Sequence, residues 1–432
     1  MRNEGMNIRY WLFLALVLVA VCVLGIVASA GAQENKFRLK PGAQGKNCLT
    51  CHVEFQDKLK LPSVHTPVKS GECASCHNPH ASSHGKLLAA DTNKICFNCH
   101  PNIISEKALS SHKVVVEGNC IKCHDPHASK NKFNLLEAGN NLCFGCHKEM
   151  GDTIKKVKFK HSPVERGCLN CHNPHASNQA ASLLKDEVPA LCLKCHKTGT
   201  PSFQKQHMNY PVAKARCTSC HDPHGSDRGG VLYTNVHQPV ASKMCNQCHN
   251  DPSSPNPFAT KKPGYELCRG CHSAMVNEAF SKNRLHWPVA DKTGCIHCHT
   301  PHASPVKKLL KAKMADLCSS CHADAMEQQK RSPTKHPPVK DGMCTTCHAP
   351  HASDNVFLFQ QASVIDLCMT CHNYSLHSTH PIGTKALDPR NNNVMVACTS
   401  CHGTHGTENK HMLYYPTATE LCTQCHVELR RQ

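Results

Sequence analysis

The stretch that decides the architecture runs His161-Ser162-Pro163-Val164-Glu165-Arg166-Gly167-Cys168-Leu169-Asn170-Cys171-His172-Asn173-Pro174-His175-Ala176-Ser177, followed shortly by Ala190-Leu191-Cys192-Leu193-Lys194-Cys195-His196. It holds two Cys-x-x-Cys-His units with different lead-ins. The first is preceded by His-x-Pro-Val and a glycine, and a second histidine follows three residues past its own. The second follows a short helix-like run ending in Leu-Cys. Together they form a module of about 48 residues.

Outward from this module the same unit recurs along the chain. The sets are Cys48, Cys51 and His52; Cys73, Cys76 and His77; Cys96, Cys99 and His100; Cys120, Cys123 and His124; Cys143, Cys146 and His147; Cys168, Cys171 and His172; Cys192, Cys195 and His196; Cys217, Cys220 and His221. They continue with Cys245, Cys248 and His249; Cys268, Cys271 and His272; Cys295, Cys298 and His299; Cys318, Cys321 and His322; Cys344, Cys347 and His348; Cys368, Cys371 and His372; Cys398, Cys401 and His402; Cys422, Cys425 and His426. Sixteen pairs take 32 of the 33 cysteines, and successive pairs start 23 to 30 residues apart. A repeat of this length marks an array rather than one globular core. The two lead-ins are expected to alternate along it.

The spacing carries a specific chemistry. Cysteines three apart lie on one side of a helical turn, so both sulfurs can bond the two vinyl groups of one haem. The histidine that follows is placed to become the proximal iron ligand. A zinc site needs four ligands per metal and would not require a histidine after every pair. A thioredoxin-like pair requires neither that histidine nor the period. The reading is therefore sixteen covalently attached haems of the c type.

Of 35 histidines, 16 are proximal by this reading, and 19 remain. Seven lie three residues past a proximal histidine: His80, His127, His175, His224, His302, His351 and His405. Eight lie upstream of a motif: His65, His112, His161, His207, His237, His286, His336 and His380. These fifteen are the expected distal ligands. A histidine only three residues past the proximal one cannot reach the far face of the same haem, so it is expected to cap a neighbouring one. His84, His297, His377 and His411 remain for the sixteenth position, His84 and His411 being favoured; His297 lies between two motif cysteines and faces away from its own haem.

The pattern resembles the doubled Cys-x-x-Cys-His family of multihaem cytochromes, over roughly residues 48 to 432. The resemblance implies bis-His haems packed in a near-continuous chain, and electron transfer of the kind used by bacteria respiring on external acceptors. Some repeats depart from the pattern. The Cys217 repeat lacks the preceding glycine, and His207 is displaced from Pro211-Val212. His112 lacks the following proline, and no histidine lies three past His249. His380 is 18 residues ahead of Cys398. The irons at Cys245 and Cys268 are accordingly the candidates for an open position.

The fold class expected is a multihaem cytochrome c: mostly irregular chain with short α-helices around a chain of haems, and little or no β-sheet. Aromatic residues make up only 5% of the chain, so porphyrins must supply the buried volume that side chains do not. Arg2 and Arg9 precede an apolar run from Trp11 to Ala32 with the small-residue site Ala28-Ser29-Ala30. Residues 1–32 read as an export signal, cleaved or retained as an anchor. The leftover Cys22 reads as an ordinary residue of it. Two eight-motif halves follow, 33–235 and 236–432.

The formal charge of +18 suggests an anionic partner such as nucleic acid, but two propionates per haem offset most of it, and no nucleic-acid partner is expected. The partners expected are redox proteins: a membrane quinol-linked donor and an outer-membrane or extracellular acceptor, with a porin complex or a filament as further possibilities. The location expected is periplasmic, outer-membrane-associated or extracellular. No residue is expected to act as acid, base or nucleophile. The competing readings are a reductase of a small oxyanion at one open iron, and a subunit of a conductive filament.

Overall fold

A computed structural model describes residues 43–101, 103–374, 380–390 and 394–431. The described residues fall into two compact units, one within Met1–Lys148 and His172–Leu184, the other within Glu149–Cys171 and Lys185–Gln432. These are bounds of packing, whereas the halves divided at residue 236 are halves of the motif count. The export-signal reading of residues 1–32 and His377 lie outside the described residues.

Both units are built from the same short pieces. Where Leu-Cys leads into a motif, the chain is α-helical, as in Thr92–Phe97, Ala190–Leu193 and Met314–Ser319. Side-chain caps start two of these helices: Ser363 accepts from the Asp366 amide at 3.0 Å, and Thr417 forms a reciprocal box with Glu420. The other motif type begins in a 3₁₀ turn, such as Cys73–Ser75, Cys168–Asn170 and Cys344–Thr346. Three residues per turn stack positions i and i+3, which brings the two cysteines onto one side. The amide of the following histidine closes the turn on the first cysteine, as His77 does on Cys73 at 3.0 Å.

Upstream histidines start helices. His65, His112, His161, His237, His286 and His336 are each the N-cap, in extended conformation, of a helix of four or five residues. Proline occupies the first turn in five of the six, where its missing N–H costs nothing. His112 lacks the proline and keeps the same cap geometry.

The sheet content is small. Among the described residues, five two-residue ladders join the segment before an upstream histidine to the Ala-Ser or Gly-Ser just past a downstream histidine of the following repeats. Ser63–Val64 pairs with Ala128–Ser129, Ser110–Ser111 with Ala176–Ser177, Phe159–Lys160 with Gly225–Ser226, Asn235–Val236 with Ala303–Ser304, and Arg284–Leu285 with Ala352–Ser353. A sixth pairing, Gly383–Leu387 with Met395–Val396, forms a hairpin in the long insertion before Cys398. The sequence reading of short helices, irregular chain and little sheet matches this architecture. Among the described residues, no helix is long and apolar enough to cross a membrane.

The ladders bury small residues. Ala128, Ala176 and Ala303 are almost fully covered, as are Ser177, Ser226 and Ser304. Each of these serines has two duties. The Ser304 hydroxyl donates to the Leu310 carbonyl at 2.5 Å and accepts from the Val306 amide at 2.9 Å. Ser304→Ala leaves both backbone groups without this partner, and is expected to lower the stability of the holoprotein by about 1–3 kcal/mol. Guanidinium titration followed in the haem absorption checks this.

Candidate functional site

Each motif histidine of the 3₁₀ type is fixed from behind. Its Nδ1 lies 2.7–3.0 Å from a backbone carbonyl nine or ten residues later: His77 with Lys86, His124 with Phe133, His172 with Ser182, His221 with Gly230, His249 with Phe258, His299 with Lys308, His348 with Phe357, His402 with His411. Seven of the eight acceptors have positive φ, between 53° and 68°. That left-handed kink turns the carbonyl back toward the ring. Occupation of Nδ1 leaves Nε2 as the nitrogen that can meet a metal.

The upstream histidines are held by a related device. Nδ1 of His65, His112, His161, His237 and His286 lies 2.8–3.0 Å from the carbonyls of Pro126, Pro174, Pro223, Pro301 and Pro350. Each of these prolines directly precedes a downstream histidine. Asp or Asn ahead of the proline orients that histidine in turn: the Asp125 carboxylate accepts the His127 amide at 2.9 Å, Asp222 the His224 amide at 3.0 Å, and Asn78 the His80 amide at 3.2 Å. Lys58 also donates to Asp125, at 2.9 Å. Burial pushes the His127, His175, His302, His351 and His405 imidazoles below their ordinary pKa. Near neutral pH this favours the uncharged, ligating form.

Among the described residues, thirteen motif histidines face a second imidazole at nearly constant separation. The upstream set meets the motif after the helical lead-in: His65 with His100, His112 with His147, His161 with His196, His237 with His272, His286 with His322, His336 with His372, and His380 with His426. The downstream set meets the 3₁₀-type motif of an earlier repeat: His127 with His77, His175 with His124, His302 with His249, His351 with His299, and His405 with His348. His207 faces His221. The ring centres of these pairs lie 5.8–6.4 Å apart.

That spacing fits one iron between two imidazoles. Two metal–nitrogen bonds of about 2 Å, each extended by about 1 Å from nitrogen to ring centre, sum to about 6 Å. Twelve of the thirteen pairs come from the two expected patterns; the thirteenth uses a residue of the upstream pattern in a different way. The downstream histidines reach a neighbouring repeat's motif, as their short tether requires. The candidates for an open position do not stand apart here, since His249 has His302 opposite it and His272 has His237.

Two of the histidines left over have rings engaged by carboxylates, and a third contributes a backbone group. His84 Nδ1 lies 3.2 Å from Asp91, and His297 Nε2 lies 2.8 Å from Asp291. His411 lends its carbonyl to His402. In the insertion, Arg390 forks onto the buried Asp388 and also donates to the Ser400 carbonyl at 3.2 Å, tying the hairpin to the Cys398 turn.

A protein-family model, described as "Doubled CXXCH motif", matches residues 65–104, 112–152, 161–200, 209–236, 237–277, 286–327, 336–375 and 391–431. The chain belongs to this doubled-CXXCH family. It is a multihaem c-type cytochrome, and its sixteen motifs bind haem covalently. No curated protein matches the chain significantly. The match over 209–236 is the shortest, and it holds one motif where the others hold two. Strict alternation of the repeat types therefore fails at this point: the motifs at Cys217 and Cys245 are both of the 3₁₀ type.

The sequence reading missed the carbonyl acceptors behind the imidazoles. Those of the upstream histidines were open to discovery, because a proline precedes nearly every downstream histidine. Those of the motif histidines had no signal, since Lys86, Phe133, Ser182, Lys308, Phe357 and His411 share no chemistry.

Proposed function

We propose that this cytochrome is an exported electron carrier in which all sixteen irons are six-coordinate with two histidines, serving a respiratory or extracellular electron-transfer chain. The observation that carries the reading is the recurrence of paired imidazoles near 6 Å, each with Nδ1 turned away toward a carbonyl where such a bond is seen. Bound haem supplies reversible one-electron chemistry. The chain's own part is to hold and orient. Thioether links fix each porphyrin to a turn, paired histidines from different repeats set the spacing, and recurrent hydrogen bonding behind many of the rings holds their orientation. Such an arrangement calls on no side chain to move a proton or attack a substrate. The partners proposed are a membrane quinol-linked donor and an outer-membrane or extracellular acceptor.

The spin state of the oxidised haems tests the proposal. Electron paramagnetic resonance with near-infrared magnetic circular dichroism is expected to show low-spin bis-His signatures throughout. A stoichiometric high-spin haem in the purified protein would contradict it and turn attention to reductase chemistry at that iron.

A further inference from the structure

Two irregularities in the array lie side by side and complete each other. Every other upstream histidine before the insertion finds its partner 35 or 36 residues later, on the motif with the helical lead-in. His207 has no such motif after it, because the next one along, past Cys217, is Cys245. Its imidazole is therefore surplus. Five other motif histidines of the 3₁₀ type take a downstream histidine from a later repeat of the same type. For His221 that residue would lie three past His249, where the chain has Pro252. The Cys217 repeat thus has one imidazole too many and one iron a ligand short.

The fold joins the two. His207 and His221 face each other with ring centres 6.2 Å apart. The support around His207 differs from that of the other upstream histidines. It is the C-cap of the helix Pro201–Gln206 rather than an N-cap. Its Nδ1 bonds the Phe203 carbonyl one turn back at 2.9 Å, and the Phe203 ring stacks on it at 4.2 Å. Left-handed Met208 and Asn209 then turn the chain away. The same task of fixing Nδ1 and presenting Nε2 is met by a different local structure.

We infer that His207 is the second axial ligand of the iron attached at Cys217, and that the eight haems attached before residue 236 thereby form an array closed in its own ligands. The inference rests on the bis-His reading above. Residues 48–235 hold eight motif histidines and eight patterned partners: His65, His80, His112, His127, His161, His175, His207 and His224. Among the described residues, none of the thirteen facing pairs crosses residue 236. Non-ligating contacts do cross it. Tyr210 is buried, donates from its hydroxyl to the Asn250 carbonyl at 2.7 Å, and lies 6.5 Å from the His249 ring. The ladder from Asn235–Val236 to Ala303–Ser304 and the 2.8 Å ion pair of Lys313 with Glu149 also span it.

The test uses the full-length holoprotein. His207→Met is expected to convert one haem in sixteen to His–Met ligation, seen as a new near-infrared band and one centre titrating at higher potential. A protease site inserted after Thr234 then locates it: after cleavage and separation, the altered haem belongs in the N-terminal piece. An unchanged spectrum, or an altered haem in the C-terminal piece, overturns the ligand assignment. With His207 intact, the same cleavage is expected to leave both pieces fully low-spin. High-spin iron appearing on separation shows that a ligand crosses residue 236 and sinks the closed-array reading, even if the His207 variant fails to mature. The spectrum before cleavage tests six-coordination by itself, so a failure there is distinct from a failure here.

Discussion

Chain exported without haem attachment is expected to be unfolded: random-coil circular dichroism, no cooperative thermal transition, and rapid proteolysis along its whole length. The reason lies in what the polypeptide buries. The covered apolar side chains among the described residues are Ala128, Ile154, Ala176, Ala180, Tyr210, Val276, Ala279, Ala303, Leu367 and Val396, half of them alanines. Phe133, Phe357, Trp287 and Leu109 are more than 60% exposed in the polypeptide. Ordering the backbone costs on the order of 1–2 kcal/mol per residue, and ten small contacts cannot offset that over such a length. Covalent attachment and ligation must supply the difference, as metal binding does in other chains that fold only around their metal. A cooperative unfolding transition in the apo-chain would refute this.

His302→Ala is expected to open one iron. His302 sits at the start of the Ala303–Ser304 ladder and faces His249 across 5.8 Å. Its amide partner is not at risk, because the His237 N–H bonds the His302 carbonyl, at 2.9 Å, whatever the side chain. The ladder therefore survives while the imidazole is lost. One haem in sixteen becomes high-spin when oxidised, and the reduced protein binds about one carbon monoxide per chain where the parent binds essentially none. Gas titration followed in the Soret band measures this directly. An unaltered spectrum would remove His302 from the ligand set, and with it the idea that downstream histidines serve a neighbouring repeat.

Much of this was legible in the sequence because the chemistry is local. Five residues specify a haem attachment, so sixteen attachments could be counted without any fold. Two patterns of extra histidine were also visible, and the short tether between His124 and His127 ruled out their sharing an iron. The choice of partner was not legible. His127 meets His77 fifty residues back rather than a nearer motif, and the ladder Ser63–Val64 with Ala128–Ser129 that arranges this has no side-chain signature beyond small residues. His207 looked merely displaced. Its role became apparent only when the missing histidine after His249 and the lone motif in the Cys217 module were seen as one irregularity.

The kinked segments behind the motif histidines carry a consequence for how such a chain can evolve. The group that steadies each ring is a peptide oxygen, aimed by backbone conformation and not by any side chain. Lysine, phenylalanine, serine, glycine and histidine all occupy the position. Substitution there leaves the acceptor in place, so surface residues can drift without detuning the metal behind them. The steadying bond behind each of these rings is inherited with the fold, and mutation at the exposed position has no side chain to take away.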